Sequence, residues 1–235
     1  MEDTLASLMQ TYAVFIERVK DIHRLGALQG HLGWDQETIM PSKGSDARSD
    51  ILSWLAGERH ERLIDPEMGR MLDSLEQEKE LDEDQQANVR EMRRTYDKAI
   101  KLPSEFVAAF AKAKSEALLS WQKARQNSDF AAFQPQLESL IAMTKEKIAY
   151  YGGQENPYDV LLDEYEVGMK VTDYDPLFEG LRARLVPLLD KITTAQITNP
   201  DPVLPEELRF SIDGQTEFCT NVSKAMGFDF EAGRM

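Results

Sequence analysis

A chain of 235 residues with 42% hydrophobic side chains can bury a sizeable core and lies outside the composition of disordered chains. Its 42 acids against 27 bases leave a net charge of -15, which argues against nucleic acid as a partner, because phosphate binding rests on Lys and Arg. The single cysteine, Cys219, permits no internal disulfide, the acidic start is unlike a secretory leader, and no stretch approaches the ~20 apolar residues of a membrane span, so the expectation is a soluble, cytoplasmic protein with no membrane partner.

Helical spacing dominates the chain. Leu5, Leu8, Tyr12, Phe15, Val19, Ile22 and Gly26 step by three or four residues, which predicts a first helix capped by Thr4 and reaching about Leu32. Gly33–Gly44, with Pro41, reads as a turn. A second helix is expected over Ser45–Ile64, with Ile51, Leu52, Leu55 and Arg59 near one face. Asp65-Pro66 breaks it and caps a third helix running to about Gln77. Leu81-Asp82-Glu83-Asp84 opens a fourth helix through Ile100, since acids suit a helix N-terminus. Leu102-Pro103-Ser104-Glu105 restarts the chain into a helix whose apolar face carries Phe106, Phe110, Ala113, Ala117 and Trp121.

After Asn127-Ser128-Asp129, the positions Phe133, Leu137, Leu140, Ile141, Thr144 and Ile148 predict a further helix, closed by Gly152-Gly153. Thr172 or Asp173 starts another through Leu177, Leu181, Leu185 and Leu188 to about Ile192, with Pro187 expected to kink or shorten it. Three prolines between Thr198 and Pro205 mark a linker. The last helix should cover Asp213–Met226, with Phe218, Val222 and Met226 inward. No strand and no constant-period repeat is legible. The expectation is an all-α, multi-helix chain: a helical lobe over residues 1–197, then a proline-rich linker and last helix over 198–235.

Chemistry-bearing motifs are few. A gluzincin-type site needs His-Glu-x-x-His on a helix, so that two imidazoles share one face. The nearest match, His60-Glu61-Arg62-Leu63-Ile64, puts Ile64 at the second ligand position, and His60 and Glu61 read as an ordinary helix surface. His23 and His31, eight residues apart, would need a third ligand from elsewhere. Gly26, Gly30 and Gly33 miss dinucleotide-loop spacing and read as helix-packing positions. Cys219 has no histidine near it in sequence and reads as a small core residue. Of the carboxylates, Asp35 and Glu37 around Gln36, and Asp163, Glu164 and Glu166 around Tyr165, could form pairs, but pairs are expected by chance among 42 acids. The run Trp34-Asp35-Gln36-Glu37-Thr38 reads as a polar cluster that fixes a turn through hydrogen bonds to backbone.

Three ordered stretches carry a family resemblance. Leu32-Gly33-Trp34-Asp35-Gln36-Glu37-Thr38 with Met40-Pro41 resembles the N-terminal signature of the carboxypeptidase Taq family. Asn156-Pro157-Tyr158-Asp159-Val160-Leu161-Leu162-Asp163-Glu164-Tyr165-Glu166-Val167-Gly168-Met169 is similar to that family's Pro-Tyr-Asp-x-Leu-Leu-Asp-x-Tyr-Glu-x-Gly segment. Phe228-Asp229-Phe230-Glu231-Ala232-Gly233-Arg234 resembles the stretch just before its catalytic region. The resemblance implies a nearly all-helical, cytoplasmic, homodimeric zinc metallocarboxypeptidase, removing C-terminal residues from peptide substrates with broad specificity. Its zinc ligands, on His-Glu-x-x-His and a downstream glutamate, lie beyond the positions matched here. No catalytic, cofactor-binding or metal residue carries over, and the expectation is an N-terminal region that is inactive alone and holds no zinc. A non-catalytic helical interaction module that kept this scaffold is the competing expectation.

Overall fold

A computed structural model describes residues 2–152, 155–198 and 210–233, with only the backbone described for 2–8 and 196–198. Among the described residues the regular structure is helical and no strand occurs. The chain forms two units, Met1–Val171 and Thr172–Met235.

In the first unit, α1 spans Glu2–Thr38, α2 Ser45–Leu63, α3 Pro66–Leu75, α4 Glu83–Ala99, α5 Ser104–Asn127, α6 Phe130–Tyr151 and α7 Asp159–Leu162. The helix ends have local causes. Asp65 accepts a hydrogen bond from Glu67 N at 2.8 Å, with Pro66 at the first helical position where its missing N–H costs nothing. Asp82 and Gln85 form a reciprocal capping box at the start of α4. Ser128 closes α5 in the left-handed region at φ 53°, and Gly152 closes α6 at φ 59°.

α1 is longer than its sequence suggests at both ends. Thr4 already lies inside it, and helix continues past Leu32 to Thr38. Two N–H groups, of Ile39 and Met40, converge on the Asp35 carbonyl before Pro41 turns the chain to an extended ψ of 139°. The expected turn over Gly33–Gly44 therefore shrinks to its second half, which includes a 3-10 turn at Ser42–Gly44.

The core of this unit gathers Phe15 and Ile22 from α1, Leu63 from α2, Met68, Met71, Leu72 and Leu75 from α3, and Val89 and Met92 from α4. Tyr12 and Val19 pack against it. Arg93 straps α4 to α3, donating to Glu76 at 2.9 Å and Asp73 at 2.5 Å. Gly69 lets the two helices approach there: a Cβ on it would stand 2.5 Å from the Tyr96 hydroxyl, and that ring would have to shift. Gly26 likewise faces Arg59 at 3.4 Å, whereas a Cβ on Gly30 or Gly33 would meet nothing within 4 Å among the described residues. Ile51 and Trp121, placed on apolar faces from sequence, are exposed.

α8 spans Val171–Thr198, all but its first residue in the second unit, and runs through both Pro176 and Pro187, so Pro187 does not shorten it. α9 spans Ile212–Ala225 and is capped by Ser211 Oγ accepting from Gly214 N at 3.0 Å. The proline-rich segment from Asn199 onward lies outside the described residues. Phe218, Val222 and Met226 are exposed rather than inward, as is Cys219.

Candidate functional site

The first signature stretch ends α1 and ties three helices together. Gln36 falls two heptads beyond Ile22 and three beyond Phe15, so the stripe that builds the core carries an amide at its far end. Gln36 is buried, and its Nε2 donates to the Ser115 carbonyl at 3.1 Å and the Ser115 Oγ at 2.9 Å on α5. Ser49 Oγ of α2, wholly buried, lies 3.0 Å from the same hydroxyl. Beside this knot, Arg48 donates to the Asp35 carboxylate and to the Leu32 carbonyl, each at 2.5 Å. Thr38 Oγ1 donates back to the Trp34 carbonyl at 2.6 Å. The cluster thus does fix the helix end through backbone bonds, and it also sets how α1, α2 and α5 pack.

The second stretch folds as a strap across α4 and α6. Asn156 Oδ1 accepts from Tyr158 N at 3.0 Å and starts the one-turn helix α7. Asp159 is buried and accepts from Val171 N at 2.8 Å, which caps the start of α8. Asp163 takes an N–H from Gly168 at 2.8 Å and cations from α4: Arg94 at 3.1 Å and the Lys98 ammonium. Burial by itself would raise the Asp163 carboxyl, but the Lys98 ammonium, the Gly168 N–H and the Arg94 guanidinium outweigh it and bring it down to about 2. Glu164 pairs with Lys147 of α6. Burial, with Glu164 nearby, pushes the Tyr151 phenol up to about 12. Asp163 is thus held ionised by committed partners and is not poised as a general acid.

The third stretch, in the second unit, is a turn. Asp229 Oδ1 accepts from Glu231 N at 2.8 Å, and its carbonyl accepts from Ala232 N and Gly233 N. Phe228 and Phe230 pack edge to face, 4.8 Å between ring centres, with the Lys224 ammonium over Phe230.

The histidines do not converge. His23 and His31 are exposed on α1, where His31 stacks on Trp34. His60 is buried, contrary to the surface position expected of it, and its Nε2 lies 2.9 Å from the Leu102 carbonyl. A carbonyl only accepts, so Nε2 carries the proton and has no lone pair for a metal. Burial drives its pKa below the usual 6.5, against the opposing pull of that carbonyl and of Glu61. Among the described residues no three His, Cys, Asp or Glu side chains gather where they could hold a metal ion. Zinc therefore finds no fitting donor set among them.

The chain belongs to the carboxypeptidase Taq (M32) metallopeptidase family, which it matches over residues 14–235. It is similar to thermostable carboxypeptidase 1 of Thermus thermophilus, at 33% identity over 95% of this chain and 46% of that protein. Carboxypeptidase 1 of Bacillus subtilis is 31% identical over 94% of this chain and 44% of that protein. Among solved structures, one titled BsuCP aligns with a TM-score of 0.89 at 30% identity, covering 96% of this chain and 45% of that one. Metallocarboxypeptidase 1 of Trypanosoma cruzi aligns with a TM-score of 0.78 at 31% identity, covering 95% and 45%. The chain thus spans less than half the length of these relatives.

Proposed function

We propose that this chain is the N-terminal framework region of a zinc metallocarboxypeptidase that removes C-terminal residues from peptides with broad side-chain tolerance. The observation that carries this reading is the family match across residues 14–235, combined with what the matched stretches do. Gln36, Asp159 and Asp163 are committed to holding helices, not to chemistry. The peptide-cleaving groups and the zinc ligands then belong to the remaining half of the family fold. Taken alone, the 235 residues are an inactive scaffold. The complete protein is a cytoplasmic homodimer acting on peptides.

The test pairs metal analysis with release of C-terminal amino acids from peptides. The 235-residue chain should hold no stoichiometric zinc and release nothing. A polypeptide continuing through His-Glu-x-x-His should do both, and lose both with a chelator. Zinc and peptidase activity in the short chain would overturn the division of labour, with His23, His31 and His60 the first ligands to mutate. A longer polypeptide that folds but never cleaves would favour the non-catalytic interaction module instead.

A further inference from the structure

Two lysines of the first unit converge on one ring between α5 and α6. The Lys114 ammonium lies 4.9 Å from the centre of the Phe110 ring, one turn earlier on α5. The Lys147 ammonium of α6 lies 5.9 Å from that centre and 5.9 Å from the centre of the Tyr151 ring. Like charges so placed repel, and the two are unequally compensated. Lys147 pairs with Glu164 of the strap, whereas Lys114 makes no ion pair among the described residues.

This asymmetry sets the amine chemistry of Lys114. Loss of hydration at its ammonium end, and then the Lys147 charge, push it below the usual 10.5 against the pull of Glu164. A lysine amine attacks only once it has lost its proton, and a partly desolvated lysine beside a second cation loses it most readily. The residue as a whole is exposed, so a small reagent can reach the nitrogen. Lys112, on the same helix, is the opposite case: its ammonium donates to Asp50 at 2.6 Å, and that bond holds its proton more tightly.

We propose that Lys114 is a site of lysine acylation whose donor is a small acyl phosphate, with Lys147 as the positioning residue for the donor's phosphate. An acyl phosphate joins an activated carbonyl to an anionic leaving group. The Lys147 ammonium has more N–H donors than its contact with Glu164 uses, and so can hold that anion while the neighbouring amine attacks. The unprotonated Lys114 Nζ forms a bond to the acyl carbon. The bond from that carbon to the phosphate oxygen breaks, its electron pair leaves on inorganic phosphate, and the nitrogen gives its proton to water. The product is a neutral amide, which ends the repulsion with Lys147.

The test treats the 235-residue chain with acetyl phosphate and follows each lysine by peptide mass spectrometry. Near neutral pH, Lys114 should be acetylated about fivefold faster than Lys112, or more. Its rate should level off at a lower pH than that of Lys112. The charged groups that face it are Lys147 of α6 and Glu164 of the strap, while Tyr151, pushed up to about 12, stays neutral over that range. Lys147→Gln should slow Lys114 about threefold or more, and Lys147→Arg should restore most of the rate. An uncharged N-hydroxysuccinimide acetate, run in parallel, should still prefer Lys114 but respond less to Lys147→Gln. Circular dichroism checks the variants, and the pH profile of the unaltered chain needs none. Equal rates at Lys114 and Lys112 with both reagents overturn the site. A preference for Lys114 with the uncharged ester alone overturns the acyl phosphate as its donor.

Discussion

α3 and α8 carry the same kind of apolar stripe and meet opposite fates. In α3, Met68, Met71, Leu72 and Leu75 are no more than 5% exposed and are enclosed by α1, α2 and α4. In α8, the stripe from Leu177 to Ile192 stands at least 44% exposed. Spacing makes a helix amphipathic, but only a neighbour turns that face into stability, at roughly 1.5–3 kcal/mol for each fully buried large apolar side chain. The first unit holds its neighbours within 171 residues. Within the second unit, no described helix encloses the stripe of α8.

The largest expected contrast is between two leucines. Leu72→Ala should cost about 2–5 kcal/mol, because it empties a wholly buried position. Leu185→Ala should stay within about 0.5 kcal/mol. Denaturant unfolding followed by tryptophan fluorescence reads the first unit selectively, since all three tryptophans, Trp34, Trp54 and Trp121, lie in it. Equal costs would erase the distinction between the regions.

Next comes the polar knot. Gln36→Leu strips the hydrogen bonds that Ser115 shares with α1 and should cost about 1–3 kcal/mol in the same assay. A neutral outcome would mean the knot adds nothing to the packing of the first unit. The glycines sharpen the comparison further. Gly69→Ala drives a methyl against Tyr96 and should destabilise by about 1–3 kcal/mol. Gly180→Ala in α8 meets open space and should raise helicity, by about 1 kcal/mol of propensity at most.

A smaller effect follows pH. The Asp163 carboxyl titrates near 2 when folded, against an ordinary value of 3.8, so the unfolded chain takes up its proton first as pH falls. The stabilisation from Asp163 is complete above about pH 4 and is lost between about pH 4 and 2. Its side chain is 27% exposed, and about 1 kcal/mol is expected after screening. Asp163→Asn should lack that acid-dependent slope; an unchanged slope would detach Asp163 from the strap.

What was legible in the sequence was local. Asp65-Pro66, Asp82 and Gly152 announced helix ends because a cap needs partners only two to four residues away. Gln36 and His60 were not legible in this way. Their partners, Ser115 and Leu102, lie 79 and 42 residues distant, so a buried amide and a buried imidazole looked like ordinary polar residues. The heptad spacing from Phe15 and Ile22 to Gln36 was the one available hint. α7 is four residues long, too short for periodicity to show. Pro187 predicts a kink or an early end, but in an exposed helix water can satisfy the carbonyl that loses its N–H partner. The spacing of Phe218, Val222 and Met226 names a face without naming its partner.

Hydrogen exchange on the isolated chain tests the contrast between regions most directly. Amides of α3 and α4 should exchange only through global opening of the first unit, because their stripes are enclosed. Amides of α8 from Leu177 to Ile192 should exchange far faster, as in a helix without tertiary support. Equal protection of α3 and α8 in the chain alone would show that the stripe is already covered, and would contradict the account.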